Sequence, residues 1–190
     1  MRSTNKGWDD CGNAPASVDG ACQILVACDV TDAPNDKQQA EPMAQATRTT
    51  LAQAGIERPK DASGAVHAIP ATLDNGSYSA AAVAALETVG CDPSIATGRQ
   101  QHHGPQAAVP ETPATVQERM AAKGQTPAGK AWYARRQVIV ALVFGQSKAA
   151  CGFRRFLLRG LATIRGAWRP VCLRHNLLKI WRYGWGVGAA

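Results

Sequence analysis

Residues 21–30 read ACQILVACDV, a short apolar run that ends against Asp29. Read as a buried strand, it sets the fold class. The stretch before it, GNAPASVD (12–19), is the candidate hairpin partner, joined through Gly20. NDKQQAEPMAQATRTTLAQAG (35–55) then has an Asn35 cap signal, a Gln three residues on, and Pro42 inside the first turns of a helix that stops at Gly55. AVHAIPATLD (65–74) is a weak strand, because Pro70 has no N–H for a ladder. SAAAVAALETVG (79–90) is a helix with Ser79 as cap and Gly90 as stop, and DPSIATG (92–98) is a short strand. Residues 99–116 hold three prolines and read as loop. Strands interleaved with helices in this way make an α/β chain, not a helical array.

Two basic helical segments follow. PAGKAWYARRQVIVALVFGQSKAA (127–150) is so apolar at its centre that this turn is expected to be buried. In FLLRGLATIRGAWRPVCLRHNLLKIWRY (156–183), Leu157, Leu161, Ile164, Trp168, Val171, His175 and Leu178 recur at alternating three- and four-residue steps. They form one apolar stripe, on which His175 reads as a packing histidine. Pro170 is expected to kink or restart that helix. The resulting division is 1–98 for the sheet and its helices, 99–126 for a loop or insertion, 127–183 for the basic helices of the same domain, and 184–190 for a tail.

Charge is distributed unevenly along the 190 residues. The net formal charge is +7, yet residues 1–118 carry all 14 Asp/Glu with 7 Lys/Arg, and residues 119–190 carry 14 Lys/Arg and no acid. A +14 segment without a carboxylate suits a polyanion, nucleic acid first and an anionic membrane second, with a solvated basic face as the plain alternative. No apolar run approaches the ~20 residues needed to span a bilayer, and the first residues lack the apolar core of a signal peptide. A cytoplasmic, nucleoid-associated protein is expected. The six cysteines form no C-x-x-C pair, so reduced thiols are expected in place of a zinc site.

The segments GFRRFLLRGLATIRGAW…CLRHNLLKIWR, YARRQVIVALVFGQSKA, DVTDAPNDKQQAEPM and IATGRQ resemble bacterial insertion-sequence transposases of the insertion-sequence-four-like branch. The resemblance covers nearly the whole chain and is most specific over 132–182. It implies an RNase H-like mixed sheet flanked by helices, in which two Asp and one Glu hold two divalent ions, usually Mg²⁺, for phosphoryl transfer. It implies transposon-end DNA as partner, no membrane, and a chain able to form a homodimer.

Residue by residue, LDNGSYS supplies Asp74, Gly76 and Ser79 of the family's second-Asp pattern, so Asp74 is the catalytic and metal-binding candidate, with an Asp-Asn-Gly turn as its alternative. The family's Glu falls on Ala141 in VALVFG, seven residues before Lys148, and its first Asp is expected upstream of the matched segment. By the same resemblance Arg135, Arg136, Lys148, Arg154, Arg155 and Arg159 contact DNA phosphates. The expectation is a transposase-derived, truncated and catalytically inactive C-terminal fragment. The alternatives are a non-enzymatic basic nucleic-acid-binding protein and a membrane-surface protein that inserts Trp168, Trp181 and Trp185. With Pro15 and Pro70 in its strands, the domain is expected to be marginally stable.

Overall fold

Within the apolar run at 21–30, residues Leu25–Cys28 become a strand. The computed structural model describes residues 12–33, 36–58, 60–97, 114–149, 152–153, 156 and 159–184, and shows β1 (Ala16–Val18) paired antiparallel with β2 (Leu25–Cys28). Alternate β2 residues, Leu25 and Ala27, are buried. The connection is tied by Asp19, whose carboxylate accepts from the Ala21 and Cys22 amides at 3.0 and 2.6 Å. The chain divides into two units, 1–36 with 138–190, and 37–137.

In the first unit the hairpin packs on α5 (Leu161–Gly184). The expected stripe holds for its described members. Trp168, Cys172, His175 and Lys179 are buried, while Leu161, Ile164, Val171 and Leu178 are half-buried. Leu157 lies outside the described residues. The helix begins at 161, not 156, after Gly160 at φ +85°, and it runs on through Pro170 without restarting. Pro170 and Gly166, whose carbonyl stands four residues back, are both on the exposed side, where that carbonyl can tilt toward water. Trp168 centres an aromatic cluster, with ring centroids 6.2 Å from Phe144, 5.7 Å from Phe153 and 6.3 Å from Phe156. A membrane-inserting Trp168 is thereby corrected: its ring is the core.

Polar side chains of α5 fasten the strand entry. Asn176 accepts from the Leu25 amide and donates to the Leu25 carbonyl, both at 2.8 Å, as a neighbouring strand would. His175 Nε2 faces only the Gln23 carbonyl, at 2.9 Å, and donates to it, while Lys179 reaches the Gln23 side chain at 2.6 Å. Gln23 sits at φ +60°, a conformation disfavoured for a side chain with Cβ, so these hydrogen bonds hold a costly turn in place. His175 is thus a packing and hydrogen-bonding residue, as its place on the stripe suggested.

Cys28 of β2 and Cys172 of α5 also meet. The hydrogen bond from the Cys172 thiol holds the Cys28 pKa down at about 7, against burial and Asp29 and with help from Arg169, while the same bond and burial push Cys172 up. Cys28 is therefore the more nucleophilic of the two. Its alkylation by iodoacetamide, followed by mass spectrometry, is expected to rise with a midpoint near pH 7. Cys172→Ala should move that midpoint toward the ordinary thiol value of about 8.5. An unchanged profile in the variant would remove the pairing.

The second unit is a β-α-β arrangement with added helices. β3 (Ile69–Leu73) and β4 (Cys91–Ile95) are parallel, in register from Ile69↔Cys91 to Leu73↔Ile95, and α2 (Ala80–Thr88) connects them. Ser79 caps α2 by accepting from the Ala82 amide at 3.0 Å, and Gly90 ends the turn after it at φ +82°. The Ile69 amide donates to the Gly90 carbonyl at 3.1 Å. The alternation of a parallel ladder then turns the nitrogens of Pro70 and Pro93 to the open edges, where a missing donor costs nothing in pairing. The core is Ala40, Ala82, Val83, Leu86, Val89, Cys91, Ile95 and Met120.

Three expectations for helices need correction. α1 (Ala40–Gln53) begins at Ala40, with Gln39 before it and no side-chain cap, so Asn35, itself outside the described residues, does not start it. Residues 116–125 are not loop but α3 (Val116–Gln125), opened by a capping box in which Thr115 and Glu118 each take the other's amide. In α4 (Pro127–Ala149) the apolar centre is buried on one face only: Val143 and Ser147 are enclosed, whereas Val138 and Leu142 are 60% and 52% exposed. Among the described residues no helix is long and apolar enough to cross a membrane.

Candidate functional site

Asp74 stands where β3 ends. Its backbone is extended (φ −73°, ψ 157°), and its carboxylate accepts from the Asn75 amide at 2.8 Å, capping the single 3-10 turn Asn75–Ser77. The Asp-Asn-Gly sequence thus makes a strand-end turn, and the same carboxylate points outward with 61% of the side chain exposed. Strand ends of α/β units are where ligands usually meet the sheet.

What meets Asp74 is a cation of its own chain. Arg136, in the part of α4 that belongs to this unit, places Nη2 3.3 Å from the Asp74 carboxylate. Its side chain is only 15% exposed, and the Tyr133 ring lies 5.1 Å from the guanidinium carbon. Arg136 Nε is buried without a partner. The guanidinium thus lies between the Asp74 carboxylate and the face of Tyr133. Among the described residues no group of three or more His, Cys, Asp or Glu comes together. One exposed carboxylate shared with a guanidinium does not fit a pair of divalent ions, which need several oxygen ligands each.

The remaining candidates divide between the units. Arg135 is exposed on α4, its guanidinium 5.9 Å from the Trp132 ring centre. In the other unit, Lys148 is exposed near the end of α4 and Arg159 is exposed just before α5. Arg154 and Arg155 lie outside the described residues. Ala141, on the Glu position of the resemblance, is an exposed alanine on the same helix as Lys148.

Sequence reading missed how much of the basic tail is engaged structurally. Arg165 grips Asp29 through Nε and Nη2 at 2.8 and 3.2 Å and donates to the Val30 carbonyl at 3.0 Å. Lys123 reaches Asp92 and the Pro93 carbonyl at 2.5 and 2.8 Å, and Arg119 pairs with Glu87 at 2.8 Å. The only signal for these pairs was that each unit also holds the acids.

The family model of the transposase DDE domain matches residues 91–181. The match supports a DDE transposase. No curated protein and no solved structure matches the chain. The matched segment starts at β4, takes in α3 and α4, and ends within α5. Ala141 and Lys148 lie inside it, and Asp74 lies outside. A transposase domain implies DNA as partner and transposition as the setting, and such domains generally use divalent metal. The observed architecture is mixed α/β with small sheets and flanking helices.

The arginine beside Asp74 has a measurable consequence. Addition of 10 mM Mg²⁺ or Mn²⁺ is expected to leave the thermal midpoint within about 2 °C, since a site with a dissociation constant above 10 mM contributes under ~0.4 kcal/mol. Arg136→Met should not change that, because it removes a cation without adding an oxygen ligand. A metal-dependent rise of about 5 °C or more would mean that oxygen ligands converge on Asp74.

Proposed function

We propose that the chain is a transposase-derived DNA-binding protein of the insertion-sequence-four-like branch, with an RNase H-like domain, that holds insertion-sequence ends without cutting them. The observation that carries this reading is the composition of the matched segment. From residue 119 to its end at 181 it has 13 Lys/Arg and no acid, and the position expected to hold its catalytic Glu is Ala141. Lys148, Arg154, Arg155, Arg159 and Arg135 bind phosphates, which positions duplex DNA without reading its bases. The protein then acts on the nucleoid in the cytoplasm.

Phosphoryl transfer by this family needs carboxylates that bring two cations to the attacking and leaving oxygens. Asp74 with Arg136 supplies one carboxylate already neutralised. The reading therefore favours the non-enzymatic alternative for present activity while keeping the transposase ancestry. Its test is strand cleavage on a nicked or hairpin DNA end with Mg²⁺ or Mn²⁺. No product is expected, and Ala141→Glu alone is not expected to restore any.

A further inference from the structure

The second unit carries an open cleft of about 600 Å³ between α1 and the start of the sheet. Leu51, Ile56, Ile69 and Val89 give it an aliphatic floor, and Arg48 and Arg58 stand at its wall. Gly90, at φ +82°, lets the Arg58 guanidinium lie directly over the turn between α2 and β4; a Cβ there would run into it. Ile69 begins β3 and Asp74 follows its end, so the cleft is about 16 Å from the Asp74 carboxylate, at the opposite end of the strand.

The charges around this cleft are unevenly satisfied. Glu57, which also lines it, is taken by Lys60 at 2.9 Å, and Glu41, one turn from the Gln45 that lines it, is taken by Gln45 at 3.0 Å. The unit's other described acids are engaged too: Asp74 by Arg136, Glu87 by Arg119, Asp92 by Lys123, Asp61 by its own turn, and Glu118 by the α3 capping box. Among the described residues Arg48 and Arg58 have no hydrogen bond or ion pair. Both nevertheless act on the Cys91 thiol at the head of β4, where their charges oppose the upward push of burial on its pKa. Two guanidiniums without a partner among the described residues thus border one apolar surface.

We propose that this cleft binds an aliphatic carboxylate, with its head between Arg48 and Arg58 and its chain on the Leu51, Ile56, Ile69 and Val89 floor. Guanidinium forks match carboxylate geometry, and the volume lies in the range of small-molecule sites. The floor has no aromatic ring on which a nucleobase could stack, so the site is distinct in ligand class from the DNA surface and goes beyond the transposase reading. Thr49, beside Arg48, gives its hydroxyl to the Gln45 carbonyl and so leaves the head group to the arginines.

The probe is octanoate, followed by ligand-observed NMR on the full chain, with octanamide and inorganic phosphate as controls. Octanoate is expected to bind with a dissociation constant on the order of a millimolar, as befits ten heavy atoms in an open site. Arg48→Gln and Arg58→Gln should each weaken it about tenfold. Arg48 is exposed on α1, so its variant keeps the test available if Arg58→Gln unfolds the protein. Duplex DNA binding should be unchanged in Arg48→Gln, which separates this site from the DNA-binding reading. No octanoate binding, equal binding of octanamide or phosphate, or full retention in Arg48→Gln would each overturn the proposal.

Discussion

Trp168→Ala is expected to unfold the unit built from β1, β2 and α5. Trp168 is 4% exposed and touches three phenylalanines that come from α4 and from the segment before α5. Truncating a buried tryptophan costs about 3–5 kcal/mol, and a whole domain holds only ~5–15. Among the described residues, Leu25, Ala27, Val30, Val143 and Cys172 are the remaining buried apolar residues of this unit, none of them as large. Trp168→Phe should cost much less, because Trp168 Nε1 has no hydrogen-bond partner to lose. Thermal melts followed by circular dichroism give the comparison. Equal midpoints for the wild type and the alanine variant would show that the aromatic cluster does not hold this unit together.

Replacing Lys148, Arg154, Arg155 and Arg159 together by Gln is expected to nearly abolish DNA binding. If four to six phosphates are neutralised, log K falls against log salt with a slope of about −4 to −5, and each phosphate left without its cation flattens it by about 0.9. Removing four cations would leave a slope near −1 and lower the affinity on the order of a thousandfold at 0.1 M salt. Arg165, Arg119 and Lys123 are poor substitutes, because their charges are already committed to Asp29, Glu87 and Asp92. Arg165→Gln should instead show its effect in stability. An unchanged slope in the quadruple variant would move the DNA surface elsewhere.

The elements best read from sequence were those whose signals are local. The run at 21–30, the Ser79 cap and the Gly90 stop are each decided within a few residues, and the folded chain uses them, the run as the shorter strand Leu25–Cys28. The Thr115-x-x-Glu118 box is equally local but is masked by the prolines that precede it, and with it goes α3. Asn35 looks like a helix cap, yet the helix waits until Ala40, since cap residues also serve turns. The stripe on α5 is legible as a period, but what its polar members do is not. Asn176 meets Leu25 across 151 positions, and Arg136 meets Asp74 across 62. No local pattern encodes such pairs. Ala141 is the reverse case: its residue type is visible in the sequence, and the structure adds only that it is exposed on α4.

The most direct test of the account is one titration of a labelled nicked duplex with the purified chain, in Mg²⁺ or Mn²⁺ and across a salt series. Binding is read on native gels and strand length on denaturing gels. The account predicts a complex whose affinity falls steeply with salt while both strands keep their full length. Metal-dependent shortening of a strand, abolished by Asp74→Ala, would contradict it and make Asp74 a working catalytic ligand.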